Sequence, residues 1–445
     1  MTLKISISGI RGIAGESLTD EVISDFSRAF ASFIKSGKVA VGRDSRASGE
    51  KIKDIVISNL NGSGLDVIYL GICPTPTVQL MVKELKADGG MIITASHNPA
   101  QWNGLKFVRR DGIFLNAKEA ESLIHIYESR SFLSSARKGS LSLKNDPLDL
   151  HIKKVLECVD VDAIKKRKFK VVLDSCNGAG SIITVKLLKE LGCEVVGLNT
   201  DPNKPFPRDP EPIPENLKTL CAKVCETGAD IGFAQDADAD RLAIVTEKGE
   251  APGEEYTLAV AAQHILSRSK VPGPKVVTNL STSMMVDDIA KKYGAKVIRT
   301  KIGEVNVAEE AVKQKAVIGG EGNGGVMYPK IGYSRDSLIA IALILEMLSS
   351  SNKRISEVIE SLPKYFIVKK KVDCPSKTEA DSLISKVRSR FSNETLDMTE
   401  GIKVIFKNAW VHVRASNTEP VVRIIAEADT RDRALELLRE VIRCP

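Results

Sequence analysis

Gly89-Gly90-Met91-Ile92-Ile93-Thr94-Ala95-Ser96-His97-Asn98-Pro99 is an apolar run that breaks off into small and polar residues and then a proline. Met and Ile suit a strand interior, whereas Ser, Asn and Pro suit turns, so the stretch reads as a buried strand delivering a loop with the Ser96 hydroxyl just past its end. Taken alone, a serine in such a turn need do no more than bond its own backbone or cap the next helix. Its surroundings carry more. Upstream lie a predicted strand over 38–42, the loop Arg43-Asp44-Ser45-Arg46, a helix over 49–61 and a strand over 65–70.

The same order returns twice. A strand over 170–174, Gly178-Ala179-Gly180, a helix through 192 and a strand over 194–198 form the second copy. A strand over 275–279, Ser281-Thr282-Ser283, a helix ending at 294 and a strand over 296–299 form the third. Three copies of one α/β unit are implied. Each is followed by a further helix and a short apolar strand, leading to Thr94-Ala95-Ser96-His97, to Asp236-Ala237-Asp238-Ala239-Asp240 and to Gly320-Glu321-Gly322-Asn323-Gly324. Ligands of α/β sheets bind beyond the carboxyl ends of strands, so three such loops facing one cleft would make a composite site. The rest differs: strands over 365–372, 401–406, 409–414 and 421–428, with helices over 377–391 and at the end, predict an antiparallel α+β domain. Domain joints are expected near 148, 250 and 363, giving units 1–148, 149–250, 251–363 and 364–445.

At 445 residues the chain exceeds one compact core, and 43% hydrophobic with 27% charged residues is ordinary for a soluble globular protein. The net charge of +7 is scattered apart from Lys165-Lys166-Arg167-Lys168, which reads as a solvated helix end, so nucleic acid is not an expected partner. Eight cysteines without paired CxxC spacing are expected to be reduced and mostly buried, as in the cytoplasm. The amino terminus carries no apolar signal segment, and the longest apolar run, 338–345, is too short to span a membrane and reads as a buried helix.

Asp236, Asp238 and Asp240 alternate along an extended loop and could share one hard cation such as Mg²⁺. An EF-hand is the rival, with Glu247 at the twelfth position, but Arg241 stands where that loop needs Gly and residues 242–245 read as a strand. Residues 320–325 formally satisfy GxGxxG, yet Val326-Met327-Tyr328-Pro329 cannot open the helix a dinucleotide site requires. Glu321 and Asn323 between glycines better suit sugar hydroxyls. Arg414-Ala415-Ser416-Asn417-Thr418-Glu419-Pro420, with Arg423 beyond, offers cations, hydroxyls and an amide suited to a phosphate dianion. Were Ser96 phosphorylated, its charge of about −2 plus three carboxylates would far exceed one divalent cation, so neighbouring Arg and Lys are required. Ser6-Ile7-Ser8-Gly9-Ile10-Arg11-Gly12, Arg43, Arg241 and Trp102-Asn103-Gly104-Leu105-Lys106 supply candidates.

TASHNP, DADADR, GEGNGG and RASNTEP in this order, with SGIRG at the start, closely resemble the α-D-phosphohexomutase family over essentially the whole chain. The resemblance implies an isomerase of four domains around a central cleft. It implies that Ser96 is a phosphoserine, that Asp236, Asp238 and Asp240 bind Mg²⁺ with the Ser96 phosphate, and that Lys106 is the general base or acid. Arg11, Arg43, His97 and Arg241 would support the phosphoserine. Thr300, Lys301, Glu321 and Asn323 would meet the sugar, and Arg414, Ser416, Asn417, Thr418 and Arg423 its non-reacting phosphate. A hexose 1-phosphate and its 6-phosphate would interconvert through a 1,6-bisphosphate, with glucose 1,6-bisphosphate as activator.

Specificity departs from the family pattern, because bacterial members typically carry Gly-Glu-x-Ser-Gly-His where Asn323 and Gly325 stand here. The GEGNGG form resembles archaeal phosphoglucomutase/phosphomannomutase, while Arg299-Thr300-Lys301-Ile302-Gly303-Glu304 resembles phosphoglucosamine mutase. The expected substrates are therefore glucose and mannose phosphates, with glucosamine phosphate as rival. A phosphosugar hydrolase or bisphosphate synthase and a non-catalytic sugar-phosphate binder are more distant alternatives. Oligomeric state is left open, a homodimer being one option.

Overall fold

The computed structural model describes residues 3–144, 146–374, 376–416 and 421–443. Three of its four sheets share one topology. In the first unit strand Lys38–Arg43 lies between Asp66–Ile72 and Gly89–Ile93, both parallel to it, and Trp102–Arg109 returns antiparallel beside Gly89–Ile93. The second repeats this order with Glu194–Leu198, Lys170–Asp174, Ile231–Gln235 and antiparallel Leu242–Thr246. The third does so with Lys296–Thr300, Lys275–Asn279, Ile318–Glu321 and antiparallel Gly325–Met327. Parallel strands covered on both faces read as unbroken apolar runs, and Gly89–Ile93 and Ile231–Gln235 are buried at every position.

The first sheet gains an edge that the sequence pattern did not announce: strands Lys4–Ser6 and Gly9–Ile13 pair as a hairpin and dock on Trp102–Arg109, placing Arg11 opposite Gly104. Adding a Cβ to Gly104 would bring it to 2.2 Å from the Ile10 carbonyl, so this close pairing needs glycine.

Helix Ser337–Ser351 is buried along nearly all its length and packs on helix Glu255–Arg268, fusing the second and third units into one hydrophobic core. Another cluster joins Ala40, Val78 and Ile92 of the first unit to Val277, Val307 and Met327 of the third. A buried polar link crosses all three: His151 Nδ1 meets Thr77 Oγ1 at 2.8 Å and its Nε2 meets Asp336 Oδ2 at 2.9 Å.

The fourth sheet is wholly antiparallel, in the order Phe366–Asp373, Val421–Ala428, Ala409–Ala415, Ile402–Ile405, Thr395–Asp397. The short edge strand Thr395–Asp397 was not expected from the sequence. Side chains alternate across the sheet: Val411 and Val413 join the helices Lys377–Arg390 and Arg431–Ile442 in a separate core, while Trp410 and His412 face the third unit.

All seven described cysteines are free, but fewer are buried than expected. Cys73, Cys176 and Cys193 are buried, whereas helix Lys218–Thr227 buries Leu220 and Val224 and turns Cys225 outward. None of the described helices is long and apolar enough to cross a membrane.

Candidate active site

The loops following the three equivalent strands meet the fourth sheet around a cavity of about 620 Å³. Arg11, His97 and Lys106 reach it from the first unit, Arg241 from the second, Glu321 and Asn323 from the third, Arg414 and Arg423 from the fourth.

Ser96 sits three residues beyond its strand with φ +50°, an uncommon left-handed conformation for a residue other than glycine, and is 1% exposed. The surroundings hold it there. Its N–H donates to Thr94 Oγ1 at 2.9 Å, and its carbonyl accepts from Arg46 Nη2 at 2.9 Å. Thr94 in turn donates to Asp44 at 2.6 Å, and Asp44 pairs with Arg46. The Ser96 hydroxyl donates to Asp236 Oδ2 at 3.2 Å and lies 3.4 Å from His97 Nδ1. Burial, with Arg241 and Arg11 nearby, pushes His97 well below its usual value and keeps the ring neutral.

Asp236, Asp238 and Asp240 are fully buried, each with a ligand oxygen within 4.8 Å of the others. Burial first, then the charges of Asp240 and Asp238, pushes Asp236 well above the ordinary carboxylate range. Burial would raise Asp238 too, but Lys106 and Thr75 outweigh it and hold that group low. Lys106 Nζ stands 2.7 Å from Asp238 Oδ2 and 3.7 Å from Asp240 Oδ2. Thr75, at the start of helix Thr75–Glu84, donates to Asp238 Oδ2 at 2.7 Å. One oxygen each of Asp238 and Asp240 is buried with no hydrogen-bond partner. Three crowded carboxylates with orphaned hard oxygens fit a divalent cation such as Mg²⁺.

Glu321 ends strand Ile318–Glu321 and is clasped on both oxygens. Oε1 accepts from Asn279 at 2.7 Å and from the Gly303 N–H at 3.1 Å; Oε2 accepts from Arg335 at 2.8 Å. Although burial raises it, Arg335 and these donors outweigh burial and keep Glu321 ionised as an acceptor for hydroxyls. Asn323 donates toward Glu321 Oε2 at 3.4 Å and accepts from the Gly325 N–H at 3.3 Å. Arg414 and Arg423 are cross-strand partners in the fourth sheet and both line the cavity, a pair of cations suited to a dianion. Burial lowers Arg414 below its usual value.

The structure therefore brings Ser96, His97, Lys106, Arg11, Arg241 and the aspartates together at one end, with Glu321, Asn323, Arg414 and Arg423 around the same cavity. Other candidates are placed elsewhere. Arg43 turns away from Ser96 toward the Tyr69 hydroxyl at 3.1 Å and Glu50 at 2.5 Å, and Arg46 grips the Ser96 loop instead. Thr300 spends its hydroxyl on the Lys301 carbonyl at 2.8 Å and Lys301 is exposed, while the next residues, Ile302, Gly303 and Glu304, form the cavity wall. Ser416 pairs its N–H with the Val421 carbonyl at 2.9 Å; Asn417 and Thr418 lie outside the described residues. Sequence reasoning missed Asp44 and Arg46, although their motif follows a strand at the same sheet edge, and missed Glu304 and Arg335 altogether.

Models of the phosphoglucomutase/phosphomannomutase family match in series: alpha/beta/alpha domain I over residues 3–134, domain II over 149–249, domain III over 253–366 and the C-terminal domain over 368–443. The chain is 42% identical over 441 residues to a phosphoglucomutase/phosphomannomutase of Thermococcus kodakarensis, covering 97% of this chain and 95% of that one. It is 36% identical over 438 residues to a probable phosphoglucosamine mutase of Methanopyrus kandleri, covering 98% and 96%. A crystal structure of a phosphoglucomutase/phosphomannomutase family protein from Burkholderia thailandensis superposes with a TM-score of 0.86 at 28% identity, covering 99% of this chain and 97% of that one.

Proposed function

The chain belongs to the α-D-phosphohexomutase family and is an isomerase of that family, and from that premise we propose that it interconverts the 1- and 6-phosphates of glucose and mannose through a phosphoserine at Ser96. The observation that carries this reading is the buried Ser96 hydroxyl hydrogen-bonded to Asp236, at the edge of a carboxylate cluster with orphaned oxygens. In this reading residues 1–148, 149–250, 251–363 and 364–445 each contribute one loop to the cleft.

The reaction is two phosphoryl transfers. A hydroxyl of the bound hexose monophosphate attacks the Ser96 phosphorus; the P–O bond to Ser96 breaks, one to the sugar forms, and the hydroxyl proton passes to Lys106, acting as the neutral amine, which returns it to the departing Ser96 oxygen. The 1,6-bisphosphate turns around within the cleft, and the Ser96 hydroxyl accepts its other phosphoryl group, with protons running the opposite way. Such transfers need mainly alignment and charge neutralisation. Mg²⁺ held by Asp236, Asp238 and Asp240 would supply part of the neutralisation, and Arg11 and Arg241 the rest. Glu321 and Asn323 grip hydroxyls, and Arg414 with Arg423 grips the phosphate that is not reacting, in either orientation. Glucose 1,6-bisphosphate would recharge any enzyme that loses its phosphate.

Glucosamine phosphate is the second reading, favoured by the relative named probable phosphoglucosamine mutase. ³¹P NMR with Mg²⁺, a trace of glucose 1,6-bisphosphate and each hexosamine or hexose 1-phosphate in turn tests both. We expect 6-phosphates from glucose and mannose. Faster turnover of glucosamine 1-phosphate replaces the sugar, and release of inorganic phosphate alone overturns the mutase.

A further inference from the structure

A Cβ added to Gly325 would lie 2.2 Å from Cδ and 2.8 Å from Cγ of Arg335, so the arginine stem runs directly across this glycine. Its buried guanidinium then reaches three carboxylates on three segments. Nη2 donates to Asp240 Oδ2 at 2.6 Å, Nη1 to Glu321 Oε2 at 2.8 Å and Nε to Glu304 Oε2 at 3.2 Å. Its base is anchored as well. The Arg335 N–H donates to Glu304 Oε1 at 3.1 Å, and the next residue, Asp336, caps helix Ser337–Ser351 and meets His151.

The consequence lies in which oxygens are used. Arg335 occupies Asp240 Oδ2 and leaves Oδ1, which is buried without a hydrogen bond and 3.7 Å from Arg241 Nε, to a cation. The same fork fixes the carboxylate plane of Glu321 between Asn279 and Asn323. A planar guanidinium offers fixed directions to several carboxylates at once, which an ammonium cannot do. We propose that Arg335, admitted by Gly325, is a positioning residue that ties the metal loop to the sugar loop, so that affinity for Mg²⁺ and affinity for the hexose both depend on one guanidinium. The proposal rests on the mutase reading above.

Three variants test it: Arg335→Lys keeps the charge and loses the fork, Gly325→Ala keeps the arginine and displaces it, and His151→Gln loosens the link from Thr77 to Asp336 without touching the fork. Calorimetry measures Mg²⁺ binding without sugar, and glucose 6-phosphate binding in EDTA. Both affinities should fall about 10–100-fold in Arg335→Lys and in Gly325→Ala, the usual cost of losing a group that orients a ligand side chain. His151→Gln should lower the thermal midpoint with both affinities kept. Should only one ligand weaken, should neither weaken, or should His151→Gln weaken both equally, the coupling role is overturned. A wild-type protein that binds neither probe overturns the mutase reading, and this inference with it.

Discussion

Glu255 faces the same cleft as Ser96 but from beyond the sugar loop, so close that a Cβ on Gly322 would sit 2.0 Å from its carboxylate. Enclosure there pushes it from 4.5 up to about 8, against the opposing pull of Lys369 and the Ser283 N–H. A folded-state value above the unfolded one means stability that is complete below about pH 4.5 and is lost as pH rises through about 8. Each unit is worth about 1.4 kcal/mol; discounting for the face open to the cleft, roughly 2 kcal/mol should be lost across the window. Glu255→Gln removes that loss: urea unfolding should show no gap between variant and wild type at pH 4.5, and a variant stabler by that amount at pH 9. An equal gap at both would sink the assignment. Ser96→Ala deletes only a hydroxyl, so we expect isomerisation to vanish while glucose 6-phosphate still binds; near-normal turnover would move the nucleophile elsewhere.

Among elements, the joint of helices Thr75–Glu84, Pro147–Leu156 and Ser337–Ser351 hangs on His151, which spans Thr77 and Asp336 out of water. His151→Ala takes the buried hydrogen bond from Asp336 Oδ2 while Oδ1 keeps the Leu338 N–H, a loss worth about 1–3 kcal/mol, and should show as a lowered thermal midpoint; an unchanged one would mean the three units cohere through apolar packing alone. Nothing in the sequence pairs residues 77, 151 and 336, because contacts between elements far apart in the chain leave no periodic trace. Strands followed by odd loops do leave one: Gly89–Ile93, Ile231–Gln235 and Ile318–Glu321 were legible as apolar runs ending in chemistry, and with them the cleft. Arg335 was not, since it lies in an irregular stretch before a helix and matters only through partners at 240, 304 and 321. The strand Thr395–Asp397 escaped because three polar-flanked residues carry no alternation that periodicity can detect.

Across the whole molecule the first three units share cores, while the fourth keeps its own and meets the third along a polar seam. Lys403 donates to the Leu280 carbonyl at 2.5 Å, Glu427 accepts from the Met284 N–H at 2.8 Å, and Glu400 accepts from the Ile302 N–H at 2.7 Å. His412 completes the seam, its Nε2–H donating to the Glu400 carbonyl at 2.8 Å and its Nδ1 accepting from the Ser281 hydroxyl at 2.9 Å. Polar joints between domains allow relative motion, and the phosphate-gripping Arg414 and Arg423 ride on this unit. Burial, with Lys403 and Arg414 adding to it, lowers His412 from 6.5 to about 4, although its bond to Glu400 opposes the shift. A lowered base contributes stability that is complete above about pH 6.5 and is lost as pH falls toward 4, up to about 3 kcal/mol at roughly 1.4 kcal/mol per unit. A second ring proton would also turn Nδ1 into a donor, so the Ser281 hydroxyl must rotate to accept. We therefore expect acid to loosen the fourth unit before it unfolds the rest. Small-angle scattering should show the radius of gyration rising, and hydrogen exchange of strand Ala409–Ala415 accelerating, between pH 6.5 and 4.5 in wild type. In His412→Gln, which keeps a donor and an acceptor but cannot take the proton, both should stay flat; a parallel rise in that variant would place the acid-sensitive contact at another group of the seam.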